Sequence, residues 1–158
     1  VQISEDTLDK MQLFLNSVSV GPKMGLAVYR PIPGQQPTAA MTAEAFAARA
    51  LLGRGWSPAA QSEATEMLLS NLPGKTEDNF YYFYYATLAL FQQQGDSWLT
   101  WNAALKPHLV STQVASGANQ GSWDPTCIWA GYGGRIYSTA MACMCLQVYY
   151  RYLPMYDN

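Results

Sequence analysis

The sequence holds 158 residues, with 9 Lys plus Arg against 11 Asp plus Glu and a formal net charge of −2. Hydrophobic residues make up 49% and charged residues 13%, the latter about half the usual share of roughly 25%. This excludes an intrinsically disordered chain and leaves no electrostatic footprint for nucleic acid. No apolar run reaches the roughly 18 residues of a transmembrane span, and the length suits a single domain of the usual ~100–200 residues.

Six helices are predicted in chain order, and no strand. Ser4 caps the first, over 4–19, with Leu8, Met11, Leu15 and Val18 on one face. Residues 21–37 hold too many Gly and Pro to be helical. Thr42 caps a second helix over 43–52, closed by Gly53 and Gly55. Pro58 opens a third over 58–72, stopped by Pro73 and Gly74. Thr76 or Asp78 caps a fourth over 79–93, closed by Gly95, and it starts with six consecutive aromatics over 80–85. Asp96 caps a fifth over 96–114, which Pro107 should kink or split. After a Gly-rich loop over 117–134, the last helix covers 135–153 and ends at Pro154.

The helices alternate in character. Those over 4–19, 58–72 and 96–114 have one polar face, whereas those over 42–52, 79–93 and 135–153 are apolar nearly all round and must be enclosed by protein. The expectation is an all-α chain of three outer–inner helical hairpins in two layers. Small residues recur around Thr42, Thr87 and Thr139, at intervals of 45 and 52 residues; two-helix repeats run roughly 34–47 residues, so the second interval is stretched by its long loop. Cys143 and Cys145 point to different faces of one helix and Cys127 has no evident partner, so no disulfide framework is expected and the pattern suits a reducing compartment. A start at Val1 suggests a piece of a longer polypeptide.

The most distinctive stretch ends the fifth helix: Leu109-Val110-Ser111-Thr112-Gln113, followed by Gly121-Ser122-Trp123-Asp124-Pro125. A glutamine amide can satisfy open backbone groups of a turn, a tryptophan can cover the same turn, and Gly121 permits a tight bend. Arg135 is placed to pair with Asp124. This stretch resembles the QW repeat of squalene-hopene and oxidosqualene cyclases. Gly133-Gly134-Arg135-Ile136-Tyr137-Ser138-Thr139-Ala140 is similar to the start of an inner helix in those enzymes and in protein prenyltransferase β subunits. The gap between Gln113 and Gly121 exceeds that of the usual motif, and the first hairpin has no Gln–Trp pair.

The resemblance implies an α/α toroid, of which three hairpins would form a partial ring, completed by the rest of a longer chain or by a second copy in a homodimer. The cyclases' Asp-x-Asp-Asp acid is missing: the adjacent carboxylates Glu5-Asp6 and Glu77-Asp78 sit at helix starts and suit capping. For the prenyltransferases' zinc the nearest candidates are His108, Asp124 and Cys127. Plainer roles are preferred for His108, as a helix cap or carbonyl partner, and for Asp124, as a turn carboxylate. No catalytic residue, metal or cofactor is expected. Tyr81, Tyr82, Tyr85, Tyr137 and Tyr149 are the expected wall for an isoprenoid-like hydrophobe. The expected function is a non-catalytic scaffold or binding module for a protein segment or hydrophobic ligand. The alternative is the C-terminal part of a terpenoid cyclase or prenyltransferase-like enzyme whose acid or metal ligands lie elsewhere.

Overall fold

A computed structural model describes residues 3–151. Within them the chain is all-α apart from one minimal hairpin. The elements are α1 (Glu5–Ser17), β1 (Ser19–Val20), β2 (Leu26–Ala27), α2 (Ala39–Leu52), α3 (Pro58–Leu69), α4 (Phe80–Gln93), α5 (Gly95–Thr112) and α6 (Ala130–Arg151). No strand was expected, but β1 and β2 pair antiparallel with Ser19 opposite Ala27 and Val20 opposite Leu26. The turn between them is held by the Glu63 carboxylate, which accepts the N–H groups of Lys23 and Gly25. Gly25 is obligatory there, because a Cβ would lie 2.0 Å from the Ala60 carbonyl oxygen.

Ser4 caps α1 by accepting from the Thr7 N–H, and Ser57 caps α3 with Pro58 in its first turn. The other caps differ from expectation. Thr38, not Thr42, caps α2; Thr42 is buried in the helix, where its hydroxyl accepts the Ala27 N–H at 3.1 Å. Asn79, not Thr76 or Asp78, caps α4 through the Tyr82 N–H. Asp96 lies in the first turn of α5, whose N-cap is Gln94 without a side-chain hydrogen bond. Pro107 does not split α5, which passes through it as one helix. Gly134 (φ 60°, ψ −159°) interrupts α6, so a short turn precedes the helical run from Arg135. The expected end at Leu153 and Pro154 lies outside the described residues.

Packing is centred on α4, which has no exposed residue. It lies between α2 and α6, giving a row α2–α4–α6, with α3 and α5 flanking. The expected hairpins joined 58–72 to 79–93 and 96–114 to 135–153. Instead α3 packs chiefly on α2, and α5 chiefly on α4. Loop length explains this: residues 53–57 and the single residue Gln94 make the short connections, and a short loop returns a helix onto its predecessor. Phe80, Phe83, Leu90, Trp101, Leu105 and Val148 are fully buried in the shared core. Inside it Thr87 donates to the Phe83 carbonyl at 2.6 Å and accepts from the Trp101 indole at 3.0 Å, so the polar groups of these two buried side chains are paired. α6 departs from the expected full enclosure: Ile136 and Tyr150 are each 85% exposed on its outer side.

Candidate functional site

The turn after α5 is pinned by side chains. Gln113 and Trp123 form an isolated antiparallel bridge, and the Gln113 amide donates to the Gly121 carbonyl at 2.8 Å. Gly121 has φ +83°, a conformation that glycine adopts without strain. Trp123 is 3% exposed, and its indole N–H donates at 2.9 Å to the Leu109 carbonyl, one of the acceptors left open at the end of α5. Its backbone N–H reaches the Thr139 hydroxyl on α6 at 3.1 Å. Arg135 donates to the Ser122 hydroxyl at 2.9 Å and pairs with Asp124. Gln113, Gly121, Trp123, Asp124 and Arg135 are thus brought together as a strap between α5 and α6.

The five tyrosines are not brought together. Tyr81 and Tyr85, one turn apart on α4, meet with ring centroids 4.8 Å apart and ring planes tilted by 55°. The Tyr81 hydroxyl donates to Glu44 of α2 at 2.9 Å, and burial first, then the Glu44 hydrogen bond and charge, push its ionisation upward. Tyr82 faces the other way, 4% exposed, donating to the Leu68 carbonyl at 2.9 Å and meeting Trp101 edge-on. It fills the space between α4, α3 and α5. Tyr137 on α6 is half-buried with no hydrogen-bond partner for its oxygen among the described residues. Tyr149 lies beside Trp98 of α5 at 6.2 Å.

A cleft of ≈ 520 Å³ opens between α1, the β-hairpin and α2. Met11, Phe14, Leu15, Val18, Val28 and Met41 supply its apolar lining, and Glu44, the residue bonded to Tyr81, supplies a polar edge. Lys10, also at the rim, pairs with Asp6 at 2.6 Å. The sequence reading did not single out this cleft. Val28 belongs to a stretch dominated by turn residues, and only tertiary folding sets it opposite Phe14. The legible signal was the short apolar run Leu26-Ala27-Val28.

The zinc candidates lie apart in their bonding. His108 Nε2 is 2.7 Å from Asp78 Oδ1, so the histidine bonds a carboxylate rather than capping a helix or bonding a carbonyl. Asp124 pairs with Arg135, while the Cys127 thiol is buried 3.8 Å from the Ser138 hydroxyl. Among the described residues no group of three His, Cys, Asp or Glu side chains is placed to hold a metal ion. No described helix is long and apolar enough to cross a membrane. Comparison with protein-family models, with curated proteins and with solved structures finds no match to this chain.

Proposed function

We propose that this chain is a non-catalytic helical-repeat module, an arc of an α/α-toroid body, that binds an elongated isoprenoid-like ligand in the cleft between α1 and α2. The observation that carries the reading is the lining of that cleft. Two methionines, whose unbranched side chains adapt to irregular apolar shapes, stand with Phe14, Leu15, Val18 and Val28 around ≈ 520 Å³ of space. A polar edge, Glu44 with the Tyr81 hydroxyl behind it, suits a hydroxyl-bearing end of such a ligand. The side-by-side row α2–α4–α6 supports the repeat reading, and so does the Gln113–Trp123 turn on which the resemblance rests.

Calorimetric titration with farnesol, an isoprenoid alcohol, tests the binding. Saturable binding is expected, about tenfold weaker in Phe14→Ser, as befits the loss of one apolar side chain from the lining. Absence of saturable binding, or equal affinity in Phe14→Ser, overturns the proposal.

A further inference from the structure

Arg49 is the one cation of α2, a helix whose other residues are apolar apart from Thr42 and Glu44, and it is only 4% exposed. A buried guanidinium normally faces a carboxylate, because an uncompensated charge in a protein interior is costly. Among the described residues no carboxylate lies within ion-pair distance of Arg49. Its Nη2 donates to two neutral oxygens, Asn16 Oδ1 at 3.2 Å and Ser19 Oγ at 2.8 Å. The Ser19 hydroxyl hydrogen is itself committed to the Leu15 carbonyl. The guanidinium also lies over the Trp56 ring, 5.3 Å from its centroid. Glu63, the acid of the neighbouring turn, is occupied by the N–H groups of Lys23 and Gly25.

A cavity of ≈ 250 Å³ lies against this cation, and Asn16, Lys23, Trp56 and Ser57 bring hydrogen-bond donors to its walls. Ser57 and Ala60 bring the amino end of α3, the positive end of its dipole, to the same space. Trp56 adds an independent sign of a missing acceptor, since its indole N–H is buried with no hydrogen-bond partner among the described residues. The cavity shares no lining residue with the apolar cleft.

We propose that the cavity bounded by Arg49, Lys23, Trp56 and the amino end of α3 binds a small oxyanion, a carboxylate or phosphate group. The anion supplies the counter-charge that Arg49 lacks. Charge-assisted bonds from a buried guanidinium are stronger than neutral ones, and Lys23 at the exposed rim draws the anion in.

Thermal unfolding of the 158-residue chain in sodium phosphate, and separately in sodium acetate, tests this at constant ionic strength made up with sodium chloride. Binding to the folded state raises the melting temperature in a saturable way. The half-saturating concentration is expected to rise about tenfold in Trp56→Phe, which removes one donor to a charged ligand, and about threefold in Lys23→Ala. A response to phosphate alone identifies a phosphate site, and to acetate alone a carboxylate site. A response to both identifies a general oxyanion site. A shift of half-saturation in either variant places the anion in this cavity. The proposal is overturned if neither anion stabilises beyond chloride, or if both variants keep the parent half-saturation.

Discussion

The Trp123 side chain acts on three parts of the molecule at once. Its ring is buried, its indole N–H satisfies the Leu109 carbonyl, and its backbone holds Thr139 of α6. Trp123→Ala is therefore expected to destabilise the fold by about 3–5 kcal/mol in denaturant melts. A loss below about 1 kcal/mol, as at an ordinary surface position, would contradict this account of the turn. Tyr81 and Tyr82 make a different prediction, about pH. Burial raises both ionisations above the ordinary value of 10.0, so the neutral phenol is favoured in the folded state. The unfolded chain releases these protons first. Their contribution is thus complete below about pH 10 and falls as pH rises beyond it. Denaturation midpoints should decline above that pH, and less steeply in Tyr82→Phe, which has no proton there to lose.

At the scale of the elements, helix starts show how far local chemistry reaches. Asn79→Ala should cost about 1 kcal/mol by removing the cap on the Tyr82 N–H. The exposed Thr76→Ala should stay within about 0.5 kcal/mol, and the same chemical melts compare the two. All six helices were legible from apolar spacing and Gly/Pro punctuation, because those signals are local. The misplaced starts have tertiary causes. Thr42 reads as a cap, but its hydroxyl serves Ala27 of β2, a partner that helix periodicity does not reveal. Asp78 reads as a cap too, yet it bonds His108 thirty residues on. The candidate site divides the same way. The residues around Gln113 and Trp123 are close in sequence and could be read together, as could the Tyr81–Tyr85 pair. The cleft and the Arg49 cavity each draw on α1, the β-hairpin region and α2, so no single stretch of sequence announces them.

Across the whole molecule the two ends of the central row differ. α2 is covered by α1 and α3, whereas α6 shows Ile136, Tyr150 and, before its break, Tyr132 to solvent. Apolar surface of this kind favours association. The isolated chain is expected to form dimers or larger species in light scattering, and Ile136→Asp to shift them toward monomer. A monomeric parent chain at working concentrations would contradict the expectation. The middle of the row has another consequence, for the order of assembly. α4 and α5 are separated by Gln94 alone and are clamped by Trp101 on Thr87. Bringing them together closes almost no loop, so their contacts cost the least chain entropy of any helix pair in the fold. The α4–α5 pair is therefore the expected folding nucleus.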